Sequence, residues 1–177
     1  MAFPFRQLAD GLTVGRAVSG LPLILALQLG ERPIAWWLLL LAGLSDAADG
    51  WLARRAGGGS SWGARLDPLT DKVLIAAPLL WLASTGGLPL WAVWLLLALE
   101  LLISGWRSQA SDGAPASRGG KLKTILQFLS LLLLLWPPAL GGNAALVILG
   151  WWLFWPSLLL ALTSAVGYLR PRSGSHR

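Results

Sequence analysis

The chain has 177 residues, enough for one compact domain, and 55% of them are hydrophobic while only 12% are charged. Soluble domains usually carry about 25% charged residues, so this composition predicts that a bilayer covers much of the surface. The net charge is +6, but the basic residues fall between apolar segments, which argues against nucleic acid as a partner.

Cysteine and histidine usage narrows the possible chemistry. The chain has no cysteine, which excludes disulfides, zinc–thiolate sites and cysteine nucleophiles. Its one histidine, His176, lies in a polar tail, so histidine-based catalysis is not expected. Any bound metal must therefore have oxygen ligands, which favours Mg²⁺ or Mn²⁺.

Six apolar segments follow one another along the chain, and a helix needs about 20 such residues to cross a bilayer. Gly-Gly pairs and prolines separate the segments, as is typical of turns. The sequence predicts an all-α integral membrane protein with six transmembrane helices in a single membrane domain over residues 1–177. The predicted spans are roughly 12–29, 33–53, 67–84, 88–108, 121–136 and 144–169.

The positive residues predict how these spans are oriented. Of 14 lysines and arginines, all except Arg32 fall on one side of the predicted membrane. Because positive residues concentrate on the cytoplasmic side, we expect a multi-pass protein of the cell membrane with both termini in the cytoplasm. Tryptophans at 36–37, 91–94 and 151–155 fit an aromatic belt at the membrane surface, although they could also fill space between helices.

Four aspartates fall within 26 positions, at the predicted cytoplasmic ends of spans two and three. Asp46 and Asp49 are three residues apart, and Asp67 and Asp71 are four apart, so each pair shares a helix face. Two divalent cations about 3.5–4 Å apart would relieve the repulsion among four carboxylates and hold a phosphoryl oxygen. Simple helix capping or pairing with nearby cations is the alternative, but carboxylates within membrane spans are expensive and usually functional.

Small and basic residues surround these aspartates and indicate a site for a phosphate-linked nucleotide. Gly50 and Gly63 let a ligand approach the backbone closely. Ala53 lies one turn beyond Asp49, and its small side chain leaves room for a ligand on that helix face. Arg54 can pair with a phosphate.

The spacing D-x2-D-G-x2-A-R-x8-G-x3-D-x3-D, from Asp46 to Asp71, matches every specified position in the signature of the CDP-alcohol phosphatidyltransferases. The chain resembles that family over nearly its whole length. The resemblance implies the family's fold of six transmembrane helices, with the active site on the cytoplasmic side, and a homodimer.

Roles for individual residues also come from the resemblance. It implies that two Mg²⁺ or Mn²⁺ ions are held by Asp46, Asp49, Asp67 and Asp71. Asp71 would also act as the general base on the acceptor hydroxyl. The residues expected to contact the CDP-linked donor are Thr13, Asp49, Gly50, Ala53, Arg54, Ser60 and Gly63.

Two later stretches, Glu100–Arg107 and Gly120–Gln127, resemble the branch of the family that transfers a phosphatidyl group from CDP-diacylglycerol to glycerol 3-phosphate and releases CMP. This acceptor brings a phosphate of its own, so its pocket needs extra cations. The candidates are Arg107, Arg118, Lys121 and Lys123. These residues could instead serve only as orientation signals or contact anionic lipids.

Other functions remain as alternatives. The stretch at Gly120–Gln127 is also similar to cardiolipin synthases, whose acceptor is phosphatidylglycerol. An intramembrane prenyltransferase binds a diphosphate through aspartates, but it lacks the G-x3-D-x3-D half of the pattern. A Mg²⁺ transporter would need carboxylates along a pore, whereas these aspartates lie at one end of the spans.

Overall fold

The computed structural model describes the backbone of residues 15, 18–55, 63–109 and 118–169, and the side chains of residues 15, 18–45, 72–105 and 120–167. These residues form the helices α1 (Val18–Gln28), α2 (Arg32–Arg55), α3 (Gly63–Ser84), α4 (Leu90–Gln109), α5 (Arg118–Leu134) and α6 (Ala144–Leu169), with a short 3-10 helix at Pro138–Leu140. No β-strand occurs within the described ranges, so the prediction of an all-α fold is confirmed there.

Several helix boundaries differ from the predicted spans by a few residues, and two of these differences have identifiable reasons. α3 begins at Gly63, before the predicted span, because helical hydrogen bonding continues beyond the apolar segment that guided the prediction. Asp67 therefore lies inside the helix rather than at its start. α5 ends at Leu134 and not at Trp136, because Pro137 disfavours helical backbone at the residue before it.

Only some of the predicted membrane spans can be tested on the described residues. Among these residues, Ala144–Gly167 is the one helix long and apolar enough to cross a membrane. Four shorter apolar helical stretches accompany it: Val18–Gln28, Arg32–Ser45, Lys72–Ser84 and Leu90–Gly105. Six crossings therefore stay a prediction.

α5 and α6 form an antiparallel hairpin whose backbones come into contact. The hydroxyl of Ser130 donates a hydrogen bond to the carbonyl oxygen of Gly150 over 2.7 Å. A Cβ at position 150 would lie 2.8 Å from the backbone nitrogen of Leu134, closer than real Cβ atoms come. The absence of a side chain at Gly150 is therefore what permits this approach.

α2 packs antiparallel to α5. Near the start of α2, the indole nitrogen of Trp36 donates a hydrogen bond to the carbonyl oxygen of Leu132 over 2.9 Å. Seven residues later, Gly43 lies so close to the ring of Phe128 that a Cβ there would force the ring to move. Residue numbers rise along α2 as they fall along α5, so the end of α2 lies beside the start of α5.

Three further contacts place the remaining helices. The guanidinium of Arg32 lies 5.4 Å from the ring centre of Trp81, so the start of α2 is near the end of α3. Lys123 near the start of α5 pairs with Glu100 on the second half of α4. In α1, a Cβ at Gly20 would lie 3.4 Å from the carbonyl oxygen of Val73, in the first half of α3.

These contacts give the bundle two different ends. We call one the polar end, formed by residues 46–55 of α2, 63–72 of α3, 100–109 of α4 and 118–124 of α5. The other, the aromatic end, carries Trp36, Trp37, Trp91 and Trp136 together with the three turns between helices that the structure describes. Between them, each helix contributes a buried side chain to one core, including Leu23, Leu39, Leu79, Leu96, Leu131 and Phe154.

Candidate active site

The aspartate signature lies on two helices at the polar end. Asp46, Asp49, Gly50, Ala53 and Arg54 belong to the last turns of α2. The first nine residues of α3 include Gly63, Asp67 and Asp71. The structure describes the backbone of these eight positions and not their side chains, and Thr13 and Ser60 lie outside the described residues.

The contact between Arg32 and Trp81 serves as a reference point for comparing the heights of the two halves of the signature. Asp46 lies 14 residues after Arg32, and Asp67 lies 14 residues before Trp81. At about 1.5 Å per residue, both aspartates are about 21 Å from that contact along the helix axes. By this count Asp46 and Asp67 are at about the same level of the bundle, as a shared site requires.

Lys121 lies on the side of α5 that faces α2. It precedes Phe128 by seven residues, and Gly50 follows Gly43 by seven residues. Seven residues return a helix to nearly the same face after two turns, a rise of about 10.5 Å. Since Gly43 and Phe128 touch, this register puts Lys121 level with Gly50, and the Lys121 side chain is exposed.

Lys123 has different surroundings. Its ammonium lies 2.6 Å from a carboxylate oxygen of Glu100 on α4, and the two side chains are only 9% and 13% exposed. Lys123, Gln127 and Ser130 form a buried polar stripe along α5. Contact between Lys123 and an acceptor phosphate stays a prediction, but the structure gives this lysine a partner within the protein.

The role of Glu100 was not predicted from the sequence. The signal was present, because Glu100 is the one acidic residue in the apolar sequence of α4. What could not be read from the sequence was which cation it meets, since that depends on how α4 and α5 pack.

The remaining basic candidates also lie at the polar end by backbone position. Arg107 follows Glu100 by seven residues and so shares its side of α4, two turns further out. Arg118 is the first residue of α5. The helices thus bring these positions to the end of the bundle that carries the aspartates.

The donor chemistry at the polar end fits a hard divalent cation. The four aspartates offer only oxygen ligands, which suit Mg²⁺ or Mn²⁺ rather than softer metals. Their side chains are not described, and among the side chains that are described no group of three or more His, Cys, Asp or Glu could hold a metal. The fit to a divalent cation therefore rests on the types of these residues and on their positions along the helix axes.

Comparison with known proteins agrees with this arrangement. The model of the CDP-alcohol phosphatidyltransferase family matches residues 6–163. A Mycobacterium tuberculosis protein named "Probable phosphatidylglycerophosphate synthase" is 35% identical over 174 residues, covering 92% of this chain and 80% of the relative.

Two further relatives are named CDP-diacylglycerol–glycerol-3-phosphate 3-phosphatidyltransferase. The Rickettsia felis protein is 29% identical over 171 residues, covering 93% of this chain and 94% of its own length. The Salmonella choleraesuis protein is 32% identical over 157 residues, covering 80% and 83%. With the signature, the helical fold and the family match in agreement, the chain belongs to the CDP-alcohol phosphatidyltransferase family of enzymes.

Proposed function

We propose that this enzyme transfers the phosphatidyl group of CDP-diacylglycerol to glycerol 3-phosphate, forming phosphatidylglycerophosphate and CMP. The reaction is the one in the names of the Rickettsia and Salmonella relatives. The observation that carries the proposal is the register of α2 and α5, which puts the exposed Lys121 level with Gly50 of the aspartate signature. A cation at that position can hold the acceptor's phosphate beside the donor.

In this proposal the aspartates of the signature bind the metal ions. Members of the family generally use divalent metal ions. Asp46, Asp49, Asp67 and Asp71 would hold two Mg²⁺ or Mn²⁺ ions. When bound, such ions neutralise the donor's diphosphate and stabilise the CMP leaving group.

The donor would lie along the signature. Gly50, Gly63 and Ala53 leave the helix surfaces low enough for the diphosphate and cytidine to approach. Arg54 would pair with a phosphate oxygen. Thr13 and Ser60 complete the set proposed to contact the CDP group.

The transfer is proposed to be a single displacement. Asp71 accepts the proton of the primary hydroxyl of glycerol 3-phosphate, and that oxygen attacks the phosphorus that carries diacylglycerol. The new P–O bond forms as the bond to the CMP oxygen breaks. The absence of cysteine and the position of His176 in the tail leave no obvious nucleophile for a covalent intermediate.

Arg107, Arg118 and Lys121 are proposed to bind the acceptor's phosphate. They belong to the ends of α4 and α5 that meet at the polar end. Arginine offers two parallel donors to a phosphate, and lysine offers a compact charge. Together they would distinguish glycerol 3-phosphate from uncharged alcohols.

We further propose that the enzyme is a multi-pass protein of the cell membrane, with both termini and the active site on the cytoplasmic side. Large apolar side chains point outward on several helices, for example Trp94 and Leu102, which are each 68% exposed. Apolar surface of this extent indicates contact with lipid or a partner. A homodimer, as the family resemblance implies, would cover part of it.

An acceptor screen tests the proposed function. Purified enzyme in CDP-diacylglycerol micelles with Mg²⁺ is given glycerol 3-phosphate, phosphatidylglycerol, serine or inositol, and CMP release is measured. We expect CMP with glycerol 3-phosphate and a product of the mass of phosphatidylglycerophosphate. Release with phosphatidylglycerol alone would make the chain a cardiolipin synthase, and release with none of the four would refute the proposal.

A further inference from the structure

Two lysines on α5 that look equivalent in the sequence occupy opposite sides of the helix. Lys121 and Lys123 are two positions apart, which is about 200° around a helix. Lys121 is exposed and lies on the side of α5 that faces α2. Lys123 is buried and its ammonium contacts Glu100 of α4 at 2.6 Å.

The electrostatics of the buried pair argue against Lys123 as a phosphate ligand. The pair of Lys123 and Glu100 is neutral overall and attracts an anion only weakly, because Glu100 would repel an approaching phosphate from nearly the same distance at which Lys123 attracts it. Recruiting Lys123 would also leave Glu100 as an uncompensated charge in a site that is only 13% exposed. Breaking a buried pair in that way is strongly unfavourable.

The same pair is well placed to hold two helices in register. Glu100 shares its side of α4 with Arg107, two turns further out. Lys123 lies two residues from Lys121 on α5. A direct contact between Glu100 and Lys123 therefore sets the separation of the helix ends that carry the proposed acceptor cations.

We propose that Glu100 and Lys123 are a positioning pair: they hold the ends of α4 and α5 so that Arg107 and Lys121 meet the acceptor phosphate, and Lys123 itself does not bind it. This inference rests on the proposed function for the identity of the acceptor. Misplacing a binding group by about 1 Å can lower a rate about 100-fold, so losing the pair has a kinetic effect although neither residue touches substrate.

Exchanging the two charges separates positioning from phosphate binding. The variants are Glu100→Lys, Lys123→Glu and the double variant Glu100→Lys/Lys123→Glu, each purified and assayed for CMP release with either substrate varied. The double variant restores an attractive pair but moves the positive charge from α5 to α4. Unfolding monitored by tryptophan fluorescence shows which variants are folded, and Lys121→Ala serves as the comparison for a lost phosphate ligand.

We expect each single variant to raise the KM for glycerol 3-phosphate by about ten-fold or more, with the KM for CDP-diacylglycerol within about two-fold of the parent. The double variant should return the acceptor KM to within about three-fold of the parent. A folded double variant as impaired as Lys123→Glu would overturn the inference and make Lys123 a ligand. Single variants with parent-like acceptor KM and only a lower melting temperature would overturn it as well.

The same series distinguishes failure of the pair from failure of the proposed function. If the parent uses another acceptor in the screen, the proposed function is wrong, and the charge exchange is then measured with that acceptor. Should the double variant regain activity there, the pair still positions the helices. If both single variants fail to fold, the double variant Glu100→Gln/Lys123→Met, which has neutral side chains of similar size, replaces them. A near-parent acceptor KM in that variant would overturn the inference. A raised acceptor KM there, together with a near-parent acceptor KM in the charge-exchanged variant, would support it.

Discussion

The polar and aromatic ends of the bundle differ in their backbone structure and in the residues that they carry. At the aromatic end, Gly30, Gly86 and Gly141 adopt positive φ angles of 82°, 77° and 80°, which lets short turns reverse the chain. At the polar end, helices carry the aspartates and cations on regular backbone. The tight turns at the aromatic end fix how the helices are aligned along their axes. This alignment brings the aspartates and the basic residues to the same level at the polar end.

The tryptophans illustrate the difference. Trp36 is buried and hydrogen-bonded to Leu132, so it ties α2 to α5 as part of the packing. Trp91 and Trp94 are 60% and 68% exposed, as expected for an aromatic belt. Trp36 therefore fills space between helices, and the aromatic belt stays a prediction for the exposed indoles. Substitutions at the polar end should therefore lower enzymatic activity, whereas substitutions of packing residues should lower stability.

The largest effect is expected at the aspartates. Asp46→Asn or Asp67→Asn removes a charged metal ligand, and we expect CMP release to fall by at least about 1,000-fold while the protein still folds and inserts. Trp91→Phe, an exposed change at the aromatic end, is the control and should retain parent activity. Near-normal turnover by either asparagine variant would remove the basis for the metal assignment.

Asp71→Asn should separate chemistry from donor binding. Asparagine can offer one oxygen to a metal but cannot accept a proton. We expect kcat to fall by about 100- to 10,000-fold. Binding of CDP-diacylglycerol, measured by equilibrium binding of a radiolabelled donor, should persist. If turnover stays close to that of the parent, the general base is a different residue.

Loss of one acceptor cation should have a smaller and more selective effect. Lys121→Ala is expected to raise the KM for glycerol 3-phosphate by about ten- to a hundred-fold, the equivalent of about 1.5–3 kcal/mol for a charge-assisted contact. Arg32→Ala removes a cation at the aromatic end and should leave both KM values unchanged. An unchanged acceptor KM in Lys121→Ala would show that the phosphate is held elsewhere.

Packing between α5 and α6 can be tested within one helix. Gly150→Ala forces a Cβ against the backbone of α5, and we expect it to destabilise the protein by about 1–3 kcal/mol. Gly167→Ala is the matched change, because nothing lies within 4 Å of a Cβ there. Thermal unfolding followed by tryptophan fluorescence should show a lower melting temperature for the first variant only. Equal melting temperatures would mean that α5 and α6 have room for a Cβ at position 150.

Apolar segments separated by Gly-Gly pairs and prolines were sufficient to predict the helices that the structure describes, because each segment is a local pattern. The aspartate spacing was likewise visible, since its residues are close in sequence. The opposite surroundings of Lys121 and Lys123 were not predictable, because they depend on contacts between Gly43 and Phe128 and between Lys123 and Glu100. Such pairings come from helices far apart in sequence, and no local pattern reports them.

The buried stripe of Lys123, Gln127 and Ser130 has a consequence for biosynthesis. α5 belongs neither to the helix of spanning length nor to the shorter apolar stretches found among the described residues. A lysine opposes insertion most at a helix centre, by about 2.5–3.5 kcal/mol on the translocon scale, and by less near the start of a helix, where Lys123 lies in α5. The apolar α6, bonded to α5 through Ser130 and Gly150, can compensate. We expect the two helices to enter the bilayer together, so that a chain truncated after Leu134 inserts α5 less efficiently than the full chain in a glycosylation-mapping assay.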